Sequence, residues 1–336
     1  MNSRRKFIQN SLLTTAALAM GSYGCADEGE KKPGKDEVSL NQTSGAHIGL
    51  QLYSILFILQ QDFEGTLKRI AEIGYKELEF AGPYIFSSEE TITGWKSYAP
   101  QAGFTDSGYY GNTPKQMKAL LDKHGLTAPS AHVGLTDLRQ VLPQAIEAAN
   151  EIGHKYIICP FLEAKDRRSI DDYKKLADEF NRFGEACKKG GVQFGYHNHN
   201  FEFGNLDGQI PYDVLLTNTD ADLVKMELDL FWASITDIDP VGLFEKHPGR
   251  FPLCHFKDLA QKTPLSDPLH ALDNPASADT AKNAMADLGH GIIDFKRIIA
   301  NAEKAGLKHY IVERDLTKDP ETTMKEGYRY LAESLS

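Results

Sequence analysis

Thiols are scarce in this chain of 336 residues. There are four cysteines, at 25, 159, 187 and 254, with no paired spacing. Cys159 and Cys254 sit in apolar runs and read as plain core residues. No disulfide is expected, and no thiolate is placed to select a soft metal. Basic residues are also in deficit, 37 against 47 acidic ones, for a net charge of −10. That balance excludes nucleic acid as a partner, because phosphate binding needs a basic surface. It suits neutral or metal-chelating small molecules. Long apolar runs are missing too. The run Ser11–Met20 is too short for a bilayer core of about 30 Å. No glycine-rich loop follows the first strand-like segment, which removes the usual phosphate cradle of an open doubly wound sheet. The remaining composition, 41% hydrophobic and 25% charged, is that of a globular protein.

What is present begins with a targeting signal. Arg4-Arg5-Lys6-Phe7 precedes the apolar run, and Gly21, Ser22 and Gly24 follow it. The arginine pair with its phenylalanine resembles a twin-arginine export signal. Gly24-Cys25 followed by a charged stretch resembles a lipoprotein cleavage site, with Cys25 carrying the lipid and Ser22 standing where leucine is usual. The expected organisation is an export signal over 1–25, a flexible linker over 26–46 and a folded domain over 47–336. The expected location is periplasmic, free or lipid-anchored to the membrane facing the periplasm. Loss of residues 1–24 removes three basic residues and no acid, leaving 34 against 47, or −13.

From residue 47 onward, strand patterns alternate with helix patterns. Strands are predicted at 47–53, 75–80, 127–133, 156–160, 192–198, 223–230, 251–257 and 309–313. Helices are predicted at 63–73, 115–124, 138–152, 170–189, 211–218, 240–246, 295–305 and 320–334. Glycines at 74, 125, 153, 190 and 306 supply stop signals. Segments 83–112 and 259–288 read as long excursions without a period. Strands separated by helices need parallel crossovers, and eight such units close into a (β/α)8 TIM barrel, a single domain.

Active sites of such barrels lie at the C-terminal ends of the strands. Polar chemistry collects there. His197, Asn198, His199, Asn200 and Glu202 fall within six residues at the end of the fifth strand. Glu227 and Asp229 share one face of the sixth strand, His255 and Lys257 one face of the seventh, Glu313 and Asp315 one face of the eighth. Acids and imidazoles converging on one point call for a counter-charge. The expected cofactor is one divalent metal ion (Mn, Co, Zn, Fe or Mg) held by His197, Asp229, His255 and Glu313.

The motifs His-Asn-His-Asn-Phe-Glu, Glu-Leu-Asp-Leu-Phe-Trp, His-Phe-Lys-Asp, Leu-Gly-His-Gly-Ile-Ile-Asp-Phe and Tyr-Ile-Val-Glu-Arg-Asp together resemble the xylose isomerase-like barrels, the sugar phosphate isomerase/epimerase group. The resemblance covers roughly residues 47–334. It implies a metal held by Glu, Asp, His and Glu on strands five to eight. Asp229, His255 and Glu313 match. Strand five departs, so His197 is the substitute, with His199 or Glu163 as alternatives. The implied reaction removes a proton beside a carbonyl and passes through an enediolate. His199 or Glu202 would be the base, and Lys257 would stabilise oxyanion charge. Tyr53, Glu79 and His132 would contact substrate hydroxyls. Trp232 stands where several relatives carry histidine, and reads as a stacking wall for a sugar ring.

The expected function is therefore a metal-dependent isomerase or epimerase of a sugar or keto-sugar. A lyase or dehydratase using the same proton abstraction, for example on a 3-keto-glycoside, is the alternative. A non-catalytic sugar-binding protein and a multi-metal phosphoesterase are further readings. The expected partner is a small carbohydrate, with no nucleic acid and no membrane contact beyond a lipid anchor; a homo-oligomer is compatible.

Overall fold

The computed structural model describes residues 47–336. The expected signal, Cys25 and the linker lie outside the described residues. Eight parallel strands form a closed barrel: β1 (His47–Gln51), β2 (Glu77–Ala81), β3 (Thr127–His132), β4 (Tyr156–Cys159), β5 (Gln193–His197), β6 (Val224–Asp229), β7 (Leu253–Phe256) and β8 (His309–Val312). They run in chain order round the barrel, and β8 closes on β1 through pairs from His47 with His309 to Leu50 with Val312. Among the described residues no helix is long and apolar enough to cross a membrane.

The period-two alternation decides which side chains face outward. Phe194 and Tyr196 of β5 meet Phe180 of the helix Ile170–Lys189, with ring centroids 5.4 and 5.1 Å apart. Each such buried aromatic contributes about 1.5–3 kcal/mol. The same residues leave Gly195 and His197 facing inward. A Cβ at Gly195 would run into Ile158 and the Lys225 carbonyl, so this glycine lets β4, β5 and β6 close up beneath His197. Inside the barrel, Tyr156, Ile158, Leu253 and Ile311 form an apolar plug. Polar residues lie beyond it toward each end.

Both excursions contain structure. Segment 83–112 holds the helix Glu89–Ala102, started by Ser88, whose hydroxyl accepts from the Thr91 amide. Gly94 and Pro100 inside it hide the helical period. Segment 259–288 holds the helix Pro275–Asn283, and its ends meet as an antiparallel ribbon of Asp258–Leu259 with Met285–Ala286. The helix expected over 295–305 is broken into Phe295–Ile299 and Ala302–Ala305.

Candidate functional site

The strand ends bring most of the expected residues together. Two groups of ligand atoms each fit within 4.8 Å: His132, His197, Glu227 and His255, and Asp229, His255 and Glu313. His255 belongs to both. Its Nδ1 lies 2.8 Å from Glu313 Oε2, and its Nε2 lies 2.7 Å from Glu79 Oε1 and 3.3 Å from Glu227 Oε2. The expected quartet is thus divided. Asp229, His255 and Glu313 stand together, while His197 pairs with Glu227 at 3.1 Å and keeps 3.9 Å from Asp229.

Local structure sets Asp229. β6 ends there, and its Oδ1 caps the short helix Leu230–Ser234 by accepting from the Trp232 amide at 2.9 Å. Asn198 Oδ1 accepts the Asp229 amide at 3.0 Å and ties the ends of β5 and β6. Asp229 Oδ2 is buried, accepts no hydrogen bond, and has Lys257 Nζ 3.2 Å away. An uncommitted carboxylate oxygen beside an imidazole and a second carboxylate suits a hard or borderline divalent cation. Asp229, His255 and Glu313 could hold one, with His197 the nearest further imidazole.

Burial and charge act against each other here. Burial pushes Asp229 up to about 6 although Lys257 opposes it. Burial holds His197 well below the ordinary imidazole range, which leaves it neutral. For His255, burial disfavours the charge, but Glu227, Glu313 and Glu79 outweigh it and hold the ring well above its ordinary value. His132 is pushed up to about 10, since Glu79 and Glu227 overcome its burial. Lys257 is buried among Asp315, Glu313 and Asp229 at 2.7, 2.8 and 3.2 Å, and these three acids hold its ammonium well above the ordinary value despite the desolvation. Asp258, next in sequence to Lys257, instead caps the 289–293 turn, accepting the Gly289, Gly291 and Ile293 amides.

His199 lies just past β5 with its ring 5.1 Å from that of His197. It stacks on Phe201 at 5.5 Å, meets Phe161 edge-on at 5.0 Å and lies 5.3 Å from Trp232. Its Nδ1 has no partner. Burial, and then the Lys257 charge, hold it well below the usual imidazole range. It belongs to neither group of ligand atoms.

Four expectations need correcting. Glu202 is turned away from the site. β5 ends at His197, and the turn Phe201–Phe203 carries Glu202 behind the barrel wall. There its carboxylate accepts from the Tyr196 hydroxyl and, at 2.8 Å, from the His199 amide. Trp232 is only 2% exposed, packed with Phe231, Ile235, Leu259 and Met285, so it has no free face for a ring. Glu79 is fully buried and bonded to Gln51, His132 and His255, beneath the mouth rather than lining it. Glu163 is exposed and pairs with Lys165. His132 keeps 8% exposure between Glu79 and Glu227, and Tyr53 lies half-buried at the rim. Sequence reasoning missed Glu227 as a ligand candidate, though its alternation with Asp229 was the available signal. It also missed Gln51, which only the closure of β1 on β2 brings to Glu79.

The insertion after β7 reaches across the mouth. Buried Arg167 donates to the Leu269 carbonyl at 2.8 Å, pairs with Asp273 at 2.5 Å and lies 3.9 Å over the Phe201 ring. Asn200 donates to the Pro268 carbonyl at 2.6 Å.

A family profile described as xylose isomerase-like TIM barrel matches residues 67–334. An inosose dehydratase of Lacticaseibacillus casei is 25% identical over 245 residues, covering 67% of this chain and 78% of that protein. The crystal structure of a sugar phosphate isomerase/epimerase from Parabacteroides distasonis is 28% identical, with TM-score 0.65, covering 90% of this chain and 98% of the other. IolI, solved with a zinc atom, is 11% identical with TM-score 0.60 over 86% of this chain and 98% of its own, a likeness of fold alone. The chain belongs to the xylose isomerase-like TIM barrel family.

Proposed function

We propose that this protein is a divalent-metal-dependent lyase that removes a β-substituent from a cyclic keto-sugar or keto-glycoside. One observation carries the reading. The site holds one neutral imidazole outside both groups of ligand atoms, His199 with its unpartnered Nδ1, together with a buried ammonium, Lys257. A metal bound by Asp229, His255 and Glu313 would supply a Lewis acid for the carbonyl oxygen. His199 takes the proton from the carbon beside the carbonyl. That bonding pair becomes the new carbon–carbon double bond, and the bond from the β-carbon to its oxygen substituent breaks. The proton taken by His199 passes to the departing oxygen, which leaves as water or an alcohol, while the Lys257 ammonium offsets the oxyanion charge and keeps its own proton. Epimerisation asks for a second base on the opposite face. Trp232, at the position where several relatives carry histidine, is packed into the core and offers no base.

The dehydratase name of the relatives at 25% identity supports elimination. The isomerase/epimerase name of the 28% identical structure supports the same proton abstraction with return to carbon, which is the second reading. An exported enzyme would meet free or glycosidic keto-sugars rather than their phosphates.

The test follows two signals in deuterated buffer over a panel of keto-sugars and 3-keto-glycosides. Elimination predicts an unsaturated ketone by ultraviolet absorbance, with metal-dependent loss of the carbon-bound proton. Deuterium wash-in without elimination would turn the assignment to epimerase or isomerase. Neither signal with metal present would remove the enediolate reading for that panel.

A further inference from the structure

Trp232 cannot stack on a substrate, yet the rim does carry free aromatic surface. Tyr98, on the helix Glu89–Ala102, is 46% exposed. Its hydroxyl lies 3.4 Å from that of Tyr53. Trp95, one turn earlier, has its centroid 6.1 Å from Tyr98, and Phe104 backs both rings at 5.2 and 6.0 Å. Trp95 Nε1 donates to the Thr105 carbonyl at 3.0 Å, which fixes the indole. This is a braced platform with one open side rather than scattered surface residues.

The platform is continuous with the centre. Leu316 packs into the same cluster as Tyr53, Phe57 and Trp95. The segment that carries it is sewn to the 53–54 turn: the Arg314 amide donates to Ser54 Oγ at 3.1 Å, and the Thr317 amide to the Ser54 carbonyl at 3.2 Å. One residue before Leu316, Asp315 holds Lys257 at 2.7 Å. A ligand leaving the centre past Lys257 and Asp315 therefore meets Tyr53 and then Tyr98. Aromatic faces with a polar tip suit the apolar face and hydroxyl edge of a sugar ring.

We propose that Tyr53, Tyr98 and Trp95 form a subsite for the second ring of a glycoside, so that the natural substrate is a two-ring glycoside rather than a free monosaccharide. The inference rests on the proposed action on a sugar, but its test does not need turnover. Binding of cellobiose and of glucose to the metal-loaded protein is measured by calorimetry. Cellobiose should bind about ten-fold more tightly than glucose, and Tyr98→Ala should remove that advantage while leaving glucose unchanged. Tyr98→Phe, which keeps the ring and loses the hydroxyl, should retain most of it. Equal affinity for the two sugars, no measurable binding of either, or equal loss for both in Tyr98→Ala would overturn the subsite. Loss of the elimination activity with the cellobiose preference intact would instead count against the proposed reaction.

Discussion

Glu77 and Glu79 are two residues apart on β2 and share its inward face, yet they stand in opposite circumstances. At the lower end of the barrel, Glu77 has both oxygens taken, one by His47 at 2.9 Å and the other by His309 at 2.7 Å. His47 is 59% exposed there, so water screens the cluster. Above the apolar plug, Glu79, Glu227 and Asp229 each keep one buried oxygen that accepts no hydrogen bond, that of Asp229 facing the Lys257 ammonium at 3.2 Å. Five carboxylates, Glu79, Glu227, Asp229, Glu313 and Asp315, crowd around one lysine and three imidazoles. Histidine and glutamate recur at both ends. What differs is whether the carboxylate oxygens are already taken. A His–Glu cluster closed on itself holds strands together; one left acidic and dry is built to receive a cation.

The contrast can be broken most severely at His255, which joins both upper groups. His255→Ala should empty the metal site by inductively coupled plasma mass spectrometry and lower turnover at least about a hundred-fold. Full metal content in that variant would undo the assignment. At His199 the two readouts should separate: His199→Ala keeps the metal and loses about 10²–10⁴ in turnover. A loss of metal there would make His199 a ligand instead. His309→Ala at the lower end should leave metal and turnover unchanged and destabilise the fold by about 1–3 kcal/mol in urea titration, because it strands one buried oxygen of Glu77. Any fall in metal content would mean the two ends are coupled.

Glu202 supplies a pH-dependent test, since burial pushes its carboxyl up to about 7, against the hydrogen bonds from Tyr196 and His199. A carboxyl raised in the folded state binds its proton more tightly there than in the unfolded chain. Its contribution is full below the ordinary glutamate value and is lost as pH rises toward 7, roughly 3 kcal/mol across that window. Glu202→Gln should therefore flatten the fall in unfolding free energy between pH 5 and 8. An unchanged slope would place the titration elsewhere.

The barrel itself was readable because alternation and glycine stops are local signals. So was the inward face at the ends of β6, β7 and β8, where Asp229, His255, Lys257 and Glu313 keep the strand's period. Legibility ended where the strands did. Glu202 sits beside two histidines in sequence, but a 3-10 turn swings it behind the wall. Trp232 follows Asp229 by three residues, and the helix capped by Asp229 turns it into a core formed partly by the distant insertion. Tyr98 and Trp95 belong to an aromatic-rich excursion that suits a ring-sized substrate, but their place on one braced helix is masked by Gly94 and Pro100. Periodicity reports a strand's faces and says nothing of the turn that follows.

The grip of Asp258 on the 289–293 turn has an engineering consequence. The antiparallel ribbon and this carboxylate, bonded to Gly289, Gly291 and Ile293, fasten both ends of the insertion close together. The intervening segment is therefore a cassette with its own fastening at both ends, held between them by Arg167, Asn200 and the packing around Trp232. Its content can be rewritten to change what crosses the mouth while the chemistry beneath stays in place. Replacing 261–283 with a short turn should preserve metal content while changing the ranking of substrates, and loss of the metal would show that the cassette is part of the centre after all.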